Sequence, residues 1–332
     1  MSSGNGHGRV PVEIVEGVPT PPPPLESPGV YELRGTRRRR SLVIALVLFG
    51  LTLISTLAAG IEFAQAYANN HAPTFEDFLG GYVAIFTDPK LLLAGIPFSF
   101  TLIGILLAHE LGHYFACRYY SISASYPYFI PAPTLIGTMG AFIRIRSPIV
   151  NRKALFDVGL AGPAVGFLFA VPALAIAIVY SKLVPAAQAN SPLVFADPLI
   201  SQLLIAWLRP GVSPADILLH PVGRAAWVGL FATALNLLPA GQFDGGHILY
   251  ALASERHRAV SFSVALLLVA MALWLKWLGW LVWAVLILAL GFRHPPLLNR
   301  WELLDRKRWV WAAIALLVFL LCFLPAPFTT HD

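Results

Sequence analysis

Charged side chains are scarce in this sequence. They make up 12% of its 332 residues, about half the ~25% share of a soluble domain. Hydrophobic residues make up 57%, more apolar surface than a water-soluble core can hide. That deficit excludes an ordinary soluble enzyme. It also removes the nucleic-acid reading of the +6 net charge, because in a chain of apolar runs the location of the charges matters more than their sum. Cysteine is nearly missing. Cys117 and Cys322 stand in different apolar runs, so neither a disulfide framework nor a cysteine metal site can be drawn, and both read as small buried hydrophobes. Internal repeats are missing too. No gap between apolar runs exceeds about 45 residues, which leaves no room for an additional soluble domain.

What the sequence does have is apolar runs of spanning length, so the bilayer is its solvent. Seven spans are expected, at roughly 41–63, 92–119, 154–180, 224–252, 259–275, 277–292 and 309–325. Residues 1–40 read as a disordered basic tail, with a proline run from Pro21 to Pro24 and too little apolar area to fold. Arg37 to Arg40 before the first run suggest a signal peptide, but that run is too long and lies too far into the chain, so it reads as an uncleaved anchor. The transmembrane domain is expected at 41–325, its core at 92–252, and a C-terminal tail at 326–332. With the N-terminus inside, 18 Lys and Arg residues fall on the inner side. Only Lys90, Lys182, Arg209, Arg224 and Lys276 fall on the outer side. This bias argues for a cytoplasmic N-terminus and for two spans, rather than one, between 259 and 292.

The chemistry is concentrated in two places. The second span carries His109-Glu110-Leu111-Gly112-His113. Residues four apart share one helix face, about 6 Å apart along the axis. Two imidazoles so placed can hold one zinc, with the intervening glutamate in reach of a water beside it. Ionisable groups inside an apolar span are costly and mark function. The fourth span carries Asn236-Leu237-Leu238-Pro239-Ala240-Gly241-Gln242-Phe243-Asp244-Gly245-Gly246-His247. Its proline and glycines break or bend a helix. Irregular backbone at that depth is tolerated where it lines a wet cavity. Asp244 there is a candidate third ligand, and His247 three residues later competes with it.

These two motifs in this order resemble the site-2 protease family of intramembrane zinc metalloproteases. Ala161-Gly162-Pro163 in the third span resembles a further element of that family. The resemblance covers roughly residues 92–252. It implies one zinc per chain held by His109, His113 and Asp244, with Glu110 as general base and Asn236 holding the substrate or its oxyanion. It also implies an all-α polytopic membrane protein of about seven transmembrane helices, with a short β-hairpin loop near the active site. This chain has room for neither the PDZ nor the CBS domains found in some members.

The loop between the second and third spans is the next informative stretch. Tyr126 to Pro133 is too proline-rich for a helix, Gly137 to Gly140 is a turn signal, and Ala141 to Arg146 alternates as a strand does. An exposed strand edge near the metal would hold an unwound substrate by its backbone, which makes Ile143 a candidate substrate-binding residue. His220, His257 and His294 lie near span ends and read as solvated, and Asp157 as a partner of Arg152 or Lys153. The expected partners are a single-span membrane-protein substrate and the lipid bilayer, not nucleic acid. The expected location is a bacterial inner membrane, with the site open to the cytoplasm. Three rival readings stay open: a prenyl-protein type of membrane protease with glutamate as third ligand, a metal transporter or channel, and a catalytically silent adaptor.

Overall fold

The fold follows from a computed structural model that describes residues 28–71, 80–185, 193–290, 297, 299 and 302–330. Most of the expected tail, and most of the basic loop with Arg293, His294 and Arg300, lie outside the described residues. Ten α-helices follow one another among them: α1 Pro28–Ala68, α2 Gly80–Thr87, α3 Leu92–Tyr119, α4 Arg152–Tyr180, α5 Leu199–Leu208, α6 Pro221–Asn236, α7 Asp244–Ala253, α8 His257–Trp274, α9 Gly279–Leu290 and α10 Arg306–Cys322. Six short strands are interspersed: β1 Tyr128–Pro131, β2 Thr138–Phe142, β3 Lys182–Leu183, β4 Leu193–Phe195, β5 Ile217–Leu218 and β6 Phe328–Thr330. Residues 1–40 and 41–332 form separate units, and the second of them is the helical bundle.

Among the described residues, four helices are long and apolar enough to cross a membrane: Arg39–Ala68, Pro89–Tyr119, Arg152–Tyr180 and His257–Trp274. Their outward faces carry large hydrophobics such as Leu46, Phe100, Leu168 and Leu266, each more than half exposed. A soluble monomer does not leave so many in water. The expected fourth span is divided into α6 and α7 by the turn 237–243, where Pro239 and Gly241 (φ 56°) interrupt the helix. The stretch 259–290 is two helices, separated at Lys276 (φ 54°) and Gly279. Helices α2 and α5 occupy segments that sequence leaves as loops. Both cysteines are free and fully buried.

Caps fix the helix starts. Asn151 accepts from the Ala154 N–H at the head of α4, and Asp305 accepts from the Arg308 N–H at the head of α10. His220 caps α6, with Pro221 as its first residue. Helix α4 is the hub and packs against α3, α6 and α7.

The helix ends gather at two levels. At one, Tyr67 of α1 donates to the Tyr180 carbonyl of α4, Lys182 donates to the Tyr67 carbonyl, and β3 pairs with β5 just before α6. There β6, in the segment expected as a C-terminal tail, pairs antiparallel with β4. At the other, Lys153 meets Glu302 at 2.8 Å and Arg152 donates to Ser254 at 2.9 Å. Asp157 pairs there with Arg308 of α10, which also reaches Tyr120 and Asp305. Sequence alone assigns Asp157 to Arg152 or Lys153, its near neighbours in the chain. Those two turn instead to Ser254 and Glu302, and α10 fills the place. Burial, then the bond to Asp157, pushes the Tyr120 phenol up to about 12, so it remains a donor.

Strands β1 and β2 pair antiparallel, Phe129 opposite Ala141 and Pro131 opposite Thr138. The expected strand 141–146 is thus displaced toward the N-terminus: the ladder ends at Phe142, and Ile145 forms only an isolated bridge with Ala124. Burial still alternates from Ala141 through Ile149. The period read in the sequence reports side-chain exposure, not strand pairing. The 132–137 loop is anchored on α1, where Ser55 donates to the Gly137 carbonyl at 2.6 Å. Gly137 has φ 77°, and a Cβ there would strike the α1 backbone.

Candidate metal centre

His109 and His113 stand one turn apart on α3, about 15 and about 9 Å of helix before its end at Tyr119. Both are buried, as is Glu110 between them. Asp244 arrives from α7, more than a hundred residues later. The break at Pro239–Gly241 makes it the first residue of that helix, where the positive end of the helix dipole favours a carboxylate. Two side chains from α8 hold the turn that delivers it. His257 Nε2 meets the Gly241 carbonyl at 3.0 Å, and the Gly241 N–H donates to Ser261 at 3.0 Å. His257 is therefore buried, at 2% exposure, and not solvated as its location near a span end suggests. His220 serves as the cap of α6.

His109, His113 and Asp244 converge as a group with metal-ligand chemistry. His109 Nε2 and His113 Nε2 lie 3.1 Å apart. Asp244 Oδ2 lies 3.2 Å from the first and 3.3 Å from the second. Zinc–nitrogen and zinc–oxygen bonds of about 2.0–2.2 Å in a tetrahedron put neighbouring donor atoms about 3.3–3.5 Å apart. The triangle has nearly these dimensions, so the residues fit the ion. Its protonation pattern fits as well. His113 Nδ1 faces the Val158 carbonyl at 2.7 Å. A carbonyl only accepts, so the proton sits on Nδ1 and the Nε2 lone pair is turned toward the shared point.

Space for the two imidazoles is provided by α4. A Cβ on Gly162 would collide with the His113 ring, and one on Gly166 would come within 3.0 Å of His109 Nδ1. A Cβ on Gly112 would meet the Ala161 carbonyl at 2.5 Å. The small-residue spacing of Gly162 and Gly166 reads from sequence as helix packing. The packing is real, and its result is a recess in which the histidines sit. The Val158 carbonyl, and the parts that Gly162 and His257 play at this centre, are what sequence reasoning misses. Besides the Ala161-Gly162-Pro163 resemblance, the signal for the recess is the run of glycines on α4, Gly159, Gly162 and Gly166, three and four apart on one face.

A chamber of about 200 Å³ opens at the triangle, lined by Glu110, Asn236, Gln242 and His247 as well as the three ligand candidates. Asn236 Nδ2 lies 3.1 Å from His109 Nε2. His247 lines the chamber but is not part of the metal-ligand group. Ala141, Phe142 and Ile143 form another wall, and the Ile143 backbone N–H is directed at the Glu110 carboxylate. Glu110 beside a three-donor centre can take a proton from a water there, the requirement for metal-assisted hydrolysis.

Comparison with known proteins points the same way. The profile of peptidase family M50 matches residues 97–276. The chain is 35% identical over 221 residues to the probable zinc metalloprotease EGY1, chloroplastic, of Arabidopsis thaliana, covering 61% of this chain and 38% of the relative. It is 31% identical over 197 residues to the probable zinc metalloprotease EGY2, chloroplastic, of the same plant, covering 56% and 34%. To the probable zinc metalloprotease EGY3, chloroplastic, of Oryza sativa subsp. indica it is 25% identical over 302 residues, covering 84% and 48%. The chain thus spans about one third to one half of the length of these relatives. No solved structure matches.

Proposed function

The chain belongs to peptidase family M50, and from that premise we propose that it is a zinc peptidase hydrolysing bonds in or near the membrane-spanning segments of other membrane proteins. One observation carries the reading: three donor atoms 3.1–3.3 Å apart, from His109, His113 and Asp244, with Glu110 at their side and a chamber in front. Zinc bound to these three residues would polarise the scissile carbonyl and make a water nucleophilic near neutral pH. Glu110 takes the proton of the attacking water and passes it to the leaving amine. Asn236 holds the substrate carbonyl through its amide. Ile143 and the end of β2 lie along the same wall and align an extended substrate backbone, replacing hydrogen bonds lost when its helix unwinds. A transporter would need a polar path onward through the bundle, yet the space beyond Asn236 is walled by Ile105, Leu106 and Leu235.

The proposed orientation has seven spans, the N-terminus and the chamber toward the cytoplasm, and the C-terminus outside, in a membrane such as the bacterial inner membrane. It is supported by the 18-to-5 distribution of basic residues and by the two levels at which helix ends gather. The proposed substrate is a single-span membrane protein.

The test uses purified full chain. The parent should hold one zinc, and Asp244→Ala should lose it. Glu110→Gln should keep the zinc, lower turnover by about 10²–10⁴-fold, and co-purify with uncut membrane proteins. An Asp244→Ala protein that binds zinc and cleaves at the parental rate would show the centre to be misassigned.

A further inference from the structure

The metal centre adjoins a second cavity of different character. It measures about 180 Å³ and shares His109, Glu110, Ala141 and Asn236 with the polar chamber. Beyond those four its walls are mostly apolar: Ile105 and Leu106 of α3, Phe231, Ala232 and Leu235 of α6, and Trp283 of α9, while the hydroxyls of Thr138 and Thr233 are given to the Ile130 and Gly229 carbonyls. β2, from Thr138 to Ala141, closes it on the remaining side. Apolar cavities of about 150 Å³ stay dry and accept a benzene ring, so this one suits a side chain of leucine to phenylalanine size.

We propose that this cavity is the specificity pocket of the peptidase, and that it takes one large apolar side chain, Leu, Met or Phe, from a residue flanking the scissile bond. The inference rests on the zinc-peptidase reading. An extended substrate lying along β2 turns successive side chains to opposite faces, about 3.3 Å apart along the chain. With its carbonyl beside Glu110, one neighbouring side chain faces α6 and α9. The apolar void there begins at the same residues, His109, Glu110 and Asn236, that surround the reacting bond. That continuity commits the pocket to the substrate rather than to a lipid chain, which would have no reason to end at the general base. A charged side chain would enter at a desolvation cost with no partner in the apolar wall. Each methylene that a side chain lacks weakens its hold on such a pocket by about 10–200-fold.

The probe is a series of amino-acid hydroxamates of glycine, alanine, leucine, phenylalanine and aspartate, titrated into zinc-loaded full chain in detergent. The hydroxamate anchors on zinc and the side chain samples the cavity. The same series on Asp244→Ala, which lacks the metal, gives the background. Leucine and phenylalanine hydroxamates should bind at least about 10-fold tighter than glycine hydroxamate, and aspartate hydroxamate no tighter than glycine. Ala232→Phe, which fills the cavity from α6, should bring the leucine-to-glycine ratio close to one. Equal affinities across the series in the parent, as a cavity filled by an acyl chain would give, overturn the pocket and leave the metal centre standing. An unchanged ratio in Ala232→Phe also overturns it. Failure of every hydroxamate to bind the zinc-loaded parent would overturn the peptidase reading itself, and the pocket with it.

Discussion

Gly162→Ala is a one-carbon change on a helix that supplies no ligand, and it should disable the metal centre. A Cβ at this position would lie 2.5 Å from both Cδ2 and Cε1 of His113, and closer still to Nε2. Nonbonded carbons rest about 3.5–4.0 Å apart, so the ring must retreat by about 1 Å or more. Metal–ligand distances tolerate about 0.2 Å, roughly one fifth of that. Nor can the ring pivot at no cost, because its Nδ1 is held by the Val158 carbonyl at 2.7 Å. Disturbing such an orienting partner alone costs about 10–100-fold in metal affinity. Gly162→Ala should therefore weaken zinc binding by at least that factor, measured by competition with a chelator on purified protein. Thermal unfolding without metal should change little. The control is Gly104→Ala on α3, where a Cβ meets nothing within 4 Å and zinc affinity should equal the parent's. Parental affinity in Gly162→Ala would refute the view that α4 is the seat of His113.

Ile143→Pro removes the backbone N–H directed at Glu110 and should impair cleavage with zinc retained, while Ile143→Val should be nearly silent. Cleavage at the parental rate in the proline variant, with unaltered thermal stability, would exclude any part for this backbone in holding substrate or base. A reporter fused after Arg258 should read cytoplasmic and one at the C-terminus external, and a cytoplasmic C-terminus would sink the seven-span orientation. Arg308→Gln strips Asp157 and Tyr120 of their shared partner across α3, α4 and α10. With the two charged side chains only 16% and 30% exposed, it should cost about 1–3 kcal/mol of stability, and an unfolding temperature equal to the parent's would show that network to be idle.

The sequence by itself determined whatever depends on near neighbours in the chain. The four-residue step from His109 to His113 puts both on one helix face in any context. Pro239 and Gly241 interrupt a helix wherever they stand, and apolar runs of spanning length have no place but a bilayer. Tertiary structure decided the rest, because the remaining features join residues that chain distance does not relate. Asp244 reaches the histidines only because α7 and α3 both pack on α4, and because His257 and Ser261 of α8 hold the turn before it. Asp157 turns from its chain neighbours to Arg308, because α10 brings a guanidinium into a place that Arg152 and Lys153 leave. The strand was legible as an alternation but not in its register, since periodicity records which side chains are buried, while pairing with β1 decides where the ladder stops. The glycines of α4 were visible as small residues. That their missing side chains make the recess for two imidazoles depends on the helix that faces them, and only the packed bundle brings that helix there.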